Sequence, residues 1–395
     1  MDFGFNEEQE LLRQSARQFL ETECSMTYVR KMMEDDKGYS EDQWQQLAAL
    51  GWTSLLIPEE YGGAALGMVE MIVVLEEMGR VVMPGPFFAT MMLGGLPIVL
   101  AGSPAQKERY LPGLAAGEIK ATMAHVEENG RWGAAGITLA AKKNGSLFSL
   151  SGTKLFAHDA HNADLLVVPA RTNKRGITLF LVDAKQEGVN ITLFKTLDQT
   201  RKLCQVTFDG VLVGKDAVLG SLHQGEPLLE SIIDHAKVGL CAEMCGGAQK
   251  TLDMCVEYAK VREQFGRPIG SFQAISHKCA NMMVQVESAK SATYYAAWAL
   301  ANNAPDAHLA GCMAKAYCSE AYRSVTAEGI QVHGGIGFTW EHDMHIYFKR
   351  AKASEVAFGD AVWNRELVAQ ALLDQPEAAA PRPAEGQSPQ LSAGA

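Results

Sequence analysis

Redox and metal-binding patterns are missing from this sequence of 395 residues. Eight cysteines (Cys24, Cys204, Cys241, Cys245, Cys255, Cys279, Cys312 and Cys318) occur without a CxxC, and no Cys/His spacing suits zinc, so no metal site is expected. Buried free thiols in a reducing compartment are the expectation. Cys241 and Cys245 share a helical face, which reads as packing. Positive charge is also short: 35 Lys and Arg stand against 46 Asp and Glu, a net charge of −11, which disfavours nucleic acid as a default partner. No apolar run approaches the ~20 residues of a membrane span. Met1–Glu10 is acidic and lacks the basic-then-apolar order of a signal peptide, so a cytoplasmic protein is expected.

Nucleotide and hydrolase motifs fail as well. Gly210–Lys215 has the outline of a P-loop but is one residue short between its glycines, and Asp216 stands where a magnesium-binding hydroxyl belongs. No GxGxxG follows a strand, and neither GxSxG nor HExxH occurs. Any bound nucleotide must be held another way.

What is present is a globular composition, 47% hydrophobic and 21% charged, organised in three segments and a tail. Residues 1–117 read as helical. Asn6 can cap a helix with a stripe of Leu11, Leu12, Ala16, Phe19 and Leu20. Ser40 caps another, with Trp44, Leu47 and Leu50 inward. Met68, Ile72, Leu75 and Met78 share one face of a third, which Pro84 and Pro86 end. Ser103-Pro104 opens one more.

Over residues 118–225 the period shortens to β. Strands are predicted over 136–141, 147–150, 154–157, 165–170, 177–182 and 206–208. Turns are predicted at Lys143–Gly145, Ser151-Gly152, Asn173–Gly176 and Asp209-Gly210, the pattern of a barrel or sandwich. Residues 226–373 return to long helical runs broken at 266–270, 302–306 and 334–337, as in a four-helix bundle with shorter additions. Residues 374–395, rich in Pro, Ala, Gly, Ser and Gln, are expected to be disordered.

Chemistry is suggested by three pieces in order: Leu-Leu-Ile-Pro-Glu-Glu-Tyr-Gly-Gly at 55–63, Lys-Val-Arg-Glu-Gln-Phe-Gly-Arg-Pro-Ile-Gly-Ser-Phe-Gln at 260–273, and Ile-Gln-Val-His-Gly-Gly-Ile-Gly at 330–337. With Leu150–Phe156, Ala163-Asp164 and Thr200-Arg201 between them, they resemble the acyl-CoA dehydrogenase family over about residues 4 to 373. The resemblance implies an α+β fold: N-terminal α-helical domain, middle β-barrel domain, C-terminal four-helix bundle. It also implies FAD, an acyl-CoA substrate and an electron-transfer flavoprotein as electron acceptor.

In the family, the positions matching Arg262, Phe265, Gln331, Gly334 and Gly335 reach the adenosine and pyrophosphate half of FAD on a neighbouring subunit. The residue types suit this. Arg gives directional hydrogen bonds to a pyrophosphate, Phe a surface for adenine, and Gly-Gly a backbone that a ligand can approach. The flavin half departs from the pattern. The family's Thr-Glu-Pro…Gly-Ser-Asp loop aligns with Val126–Gly133, where Glu127 survives and Val126 and Trp132 replace the hydroxyl donors. The Trp-x-Thr that meets the flavin becomes Phe156-Ala157-His158. His158 reads equally as a flavin contact or a barrel-surface residue.

The family's general base is a Glu at one of two positions, which fall here on Phe358 and Ala236. Three readings follow. The chain is one subunit of a heteromeric enzyme whose second family member carries the Glu. Alternatively it is a homo-oligomer (dimer or tetramer) with a displaced base, for which Asp360, Glu355, Asp234 and His235 are candidates. Or it is a flavin-free structural partner.

Overall fold

The computed structural model describes residues 5–174 and 176–373. The tail predicted to be disordered, 374–395, lies outside the described residues.

The first segment contains α1 (Glu7–Glu23), α2 (Met26–Glu34), α3 (Glu41–Ala49), α4 (Met68–Arg80), α5 (Leu96–Ala101) and α6 (Pro104–Ala115). Local chemistry sets their starts. Asn6 and Gln9 exchange side-chain-to-backbone hydrogen bonds of 2.8 and 3.0 Å in a capping box, and Ser40 and Ser103 cap α3 and α6. Leu11 and Leu50, expected inward, are exposed. Leu11 lies about 100° round the helix from Leu12, off the Ala16–Leu20 face, and Leu50 is only the C-cap of α3.

α4 is buried nearly all round, including Glu76 and Glu77, because α1, α7 and α8 pack against it. Its crossing with α7 needs glycine on both helices. A Cβ at Gly79 would stand 2.1 Å from the Glu243 carbonyl oxygen, and one at Gly246 1.8 Å from that of Glu76.

The sheet comprises β1 (Ala121–Met123), β2 (Ala140–Asn144), β3 (Leu147–His158), β4 (Leu165–Arg171), β5 (Ile177–Asp183), β6 (Val189–Leu193), β7 (Leu203–Val213) and β8 (Val218–Leu219). Its order is β6-β7-β3-β2-β4-β5-β8, with β1 parallel on β4. It surrounds its own apolar core, in which Phe148, Leu150, Leu166, Val168, Phe180, Val206 and Phe208 meet.

Several predicted boundaries shift. Ala134–Gly136 is a 3-10 turn, so β2 begins at Ala140. Ser151-Gly152 and Asp209-Gly210 are not turns between strands but lie within β3 and β7. There the register steps from Leu150↔Val211 to Gly152↔Phe208, a bulge with Gly152 at φ +145° and Gly210 at +65°. Bulges recruit the same residue types as turns, hence the misreading. β6 was not anticipated.

The last segment holds α7 (Glu226–Val261), a small hairpin of β9 (Glu263–Gln264) and β10 (Arg267–Pro268), α8 (Gln273–Ala301), α9 (Ala307–His333), α10 (Met344–Val356) and α11 (Ala361–Leu373). α7, α8 and α9 pack on one another, and α10 and α11 pack on α9. One continuous core joins these helices to the N-terminal ones and to one side of the sheet.

Candidate functional site

A cavity of about 410 Å³ opens where the sheet meets the bundle. Its walls come from the exit of β1 (Met123, His125, Val126), Trp132, the end of β3 (Leu155, Phe156, His158), the β6–β7 loop with Asp198 and Arg201, and the end of α10 through Phe358. Val126, Phe156, His158 and Phe358, far apart in sequence, are thereby brought together. Phe156 and Phe358 have φ of +54° and +55°, a left-handed backbone that is strained for a bulky side chain. Such strain persists where the surrounding structure over-determines it, and it concentrates at functional sites.

Aromatic rings form a chain across the cavity wall. Phe358 stacks on His158 (centroids 5.7 Å, 21°) and lies 6.0 Å from Trp132 and 6.1 Å from Phe88. His125 lies 5.7 Å from Trp132. His158 is therefore a half-buried cavity residue. Burial, with Arg201 and Arg350 nearby, lowers its pKa to about 3, so it is neutral. Glu127 faces away: Lys154 donates to it at 2.7 Å, as do the backbone N–H groups of Thr138 and Leu139. It fastens the loop instead of facing the cavity.

Neither position at which the base was expected carries a carboxylate. Phe358 is 4% exposed, and Ala236, fully buried on α7, does not line the cavity. Among the described residues the cavity's one carboxylate is Asp198, to which Arg350 donates at 2.8 Å and Thr200 through its N–H at 2.9 Å. The alternative bases lie off the cavity. Asp360 accepts from the Trp363 N–H, and Glu355 pairs with Arg323 at 3.0 Å. His235 bonds the Ser231 carbonyl. Asp234 pairs with His308 at 2.8 Å. Asp234, His308 and Cys312 fall within 4.8 Å of one another, but the Lys237 ammonium contacts both Asp234 (3.2 Å) and Cys312 (3.4 Å), where a cation would have to sit.

The second group of predicted residues gathers where α7 and α9 end. Tyr258 near the end of α7 stacks on His333 at the end of α9, with centroids 4.5 Å apart. That contact brings the Arg262 and Gly334-Gly335 segments to one end of the bundle. Arg262, Gln331, Gly334 and Gly335 are all exposed. Phe265 is 92% exposed at the tip of the β9–β10 hairpin, with φ +54°. Gly334 has φ +67° and ψ −147°, a conformation that L side chains avoid, and a Cβ on either glycine would meet nothing within 4 Å. None of these five residues lines the cavity.

Residues that sequence reasoning did not single out complete the picture. Arg201 is buried beside Phe88 and pairs with Glu243. Arg350 ties α10 to the sheet. His125 lines the cavity unpartnered. The Thr200-Arg201 string was visible, but a buried charge is not readable from a string. His125 gave no signal at all.

A helical segment, an eight-stranded sheet and a bundle of long helices, with a cavity at their seam, make up the architecture that the acyl-CoA dehydrogenase resemblance implies. The comparisons with known proteins agree. Residues 6–118 match the family model "Acyl-CoA dehydrogenase, N-terminal domain" and residues 223–373 match "Acyl-CoA dehydrogenase, C-terminal domain". The acyl-CoA dehydrogenase IpdE2 of Mycolicibacterium smegmatis is 31% identical over 355 residues, 90% of this chain and 95% of the relative. A chain of the ChsE4-ChsE5 complex of Mycobacterium tuberculosis superposes with a TM-score of 0.88 at 26% identity, covering 95% of this chain and 100% of that one. A structure described as an FAD-dependent dehydrogenase gives 0.85 at 30% identity, covering 94% and 99%. The chain belongs to the acyl-CoA dehydrogenase family.

Proposed function

We propose that this chain is the base-lacking subunit of a heteromeric, FAD-dependent acyl-CoA dehydrogenase that desaturates an acyl-CoA thioester between its α and β carbons. One observation carries the reading. Both positions expected to hold the family's Glu are buried and apolar here, and Phe358 is built into an aromatic wall with His158 and Trp132. The similarity to a chain of a two-protein complex, ChsE4-ChsE5, supports a second family member as partner.

The residues present fit FAD. An exposed Arg262 and a Cβ-free Gly334-Gly335 backbone open onto solvent beside Gln331 and Phe265. These five would hold the adenosine and pyrophosphate half of a partner subunit's FAD, with Arg262 countering the phosphate charge. Phe156, His158 and Val126 would face the ring half in this chain's own cavity. The chemistry FAD supplies when bound is acceptance of the hydride from the acyl β-carbon. The α-proton would leave to the partner's Glu at the partner's own cavity, since the one carboxylate at this chain's cavity among the described residues, Asp198, is held by Arg350. Electron-transfer flavoprotein as acceptor follows from the family resemblance. Eight unpaired cysteines support a reducing, cytoplasmic location, and no described helix is long and apolar enough to cross a membrane.

Co-purification with any bound partner, followed by flavin absorbance and FAD per chain, tests the proposal. A colourless chain that acquires flavin and activity only with a Glu-bearing partner is expected. A yellow, active homo-oligomer refutes it.

A further inference from the structure

Lys315, on α9, has no exposed surface. Its ammonium donates to the Ser319 hydroxyl at 2.8 Å and to the carbonyl oxygens of Glu355 at 3.0 Å and Gly359 at 2.9 Å. That engages every N–H it carries. All three acceptors are uncharged. Burying a charge is costly unless it is compensated, and here much of the compensation comes from two backbone carbonyls on a neighbouring segment.

Those carbonyls stand on either side of Phe358. Glu355 lies in the last turn of α10, where helix carbonyls lack a partner within the helix, and α10 has no basic residue of its own in that turn. Gly359 has φ +88° and Phe358 before it φ +55°. Two successive residues are thus left-handed and one of them is bulky, a conformation that persists only where its surroundings hold it. Asn364 holds the turn from α11, donating to the Gly359 carbonyl at 3.0 Å. Lys315 holds it from α9. The Phe358 ring, so presented, meets His158, Trp132 and Phe88 on the cavity wall.

We propose that Lys315 is a positioning residue for the cavity wall: its ammonium clamps the backbone on both sides of Phe358 and so sets where that ring stands. Lys315 itself does not line the cavity and acts through Phe358. The inference goes beyond the base-lacking reading and does not depend on it, since anything that enters the cavity meets this ring.

The clamp depends on charge. Burial lowers the Lys315 pKa to about 8; the titratable and charged groups around it are Cys241 and Lys237 on α7, Cys318 on α9 and Asp360 after α10. The Glu355 carboxylate is engaged by Arg323 and Lys352. Below about pH 8 the ammonium serves all three acceptors. Above it the neutral amine keeps only two N–H groups and its pull on the carbonyls weakens, so the turn is released.

The test places a single para-fluorophenylalanine at Phe358 in the full chain within its purified assembly. Its fluorine resonance is followed from about pH 6 to about pH 10, a range that brackets the lysine. One transition with a midpoint near pH 8 is expected. In Lys315→Met the resonance should already stand near the parent's high-pH position at neutral pH and should not move with pH. Far-UV circular dichroism checks that the variant is folded, and the parent's own titration decides the matter if it is not. A parent resonance that stays fixed across the range overturns the proposal. So does a transition near pH 8 that persists in Lys315→Met, or a variant resonance that coincides with the parent's at neutral pH.

Discussion

Replacing Arg350 by methionine removes one buried charge while keeping much of the side chain's bulk. The guanidinium joins three segments. Its Nε donates to Asp198 Oδ2 at 2.8 Å and Thr200 Oγ1 at 3.0 Å. Its Nη2 donates to Thr200 Oγ1 at 2.6 Å and to the carbonyls of Met83 and Val82 at 3.3 and 3.5 Å. α10, the β6–β7 loop and the turn after α4 therefore meet on one side chain.

Asp198 is 2% exposed, so the variant strands a carboxylate away from water. Breaking a buried pair from one side costs about 3–5 kcal/mol, most of it the penalty on the charge left behind. Arg350→Met should thus lose about that much in urea unfolding, followed by far-UV circular dichroism at fixed protein concentration. Asp198→Asn should lose a comparable amount. The double variant should lose less than the sum by about 1–3 kcal/mol, because neither charge is then left alone. A cycle additive within about 0.5 kcal/mol, or a single-variant cost below about 1 kcal/mol, refutes the argument that this pair holds the cavity's walls together.

Four further outcomes are expected. Arg262→Ala should lower the FAD content of the assembled enzyme while leaving this chain's own melting temperature nearly unchanged, since Arg262 is exposed; flavin content read at the flavin absorbance band checks it. Gly334→Ala should cost about 1–3 kcal/mol through backbone strain alone, there being open space for the Cβ, and should weaken FAD retention; unfolding and flavin content measured together separate the two effects. Gly246→Ala drives a Cβ to 1.8 Å from the Glu76 carbonyl oxygen and should leave little folded protein, as soluble yield and circular dichroism would show. Asp159 is buried with Oδ1 unpartnered, and burial raises its pKa from 3.8 to about 7. The folded state therefore binds this proton more tightly than the unfolded one, and the associated stability, at most about 4 kcal/mol, is lost as pH rises from about 4 through about 7. Asp159→Asn should flatten that part of the stability–pH curve and melt higher than the parent at pH 8.

The readable parts of this protein are those whose physics is local. Capping at Asn6, Ser40 and Ser103 involves residues three apart, so the helix starts could be placed from the string. The Arg262–Gln273 and Ile330–Gly337 stretches are each local, one joining α7 to α8 and one closing α9, and the fold brings the ends of α7 and α9 together through Tyr258 and His333. The sheet was harder. Gly152 and Gly210 carry the positive φ that turns also use, and only the cross-strand register distinguishes a bulge from a turn. The charged interior was unreadable for a related reason: Arg350 finds Asp198 across 152 residues, and nothing near either residue announces the other.

Phe358 shows where sequence patterns stop being enough. A Phe before a glycine is unremarkable as a string, and only its alignment with a family position gave it meaning. In the fold it has a concrete role: with a left-handed backbone and its ring stacked on His158, it occupies a strained position on the cavity wall. Strain kept for a ring that cannot take a proton argues that this wall is shaped for something other than proton removal.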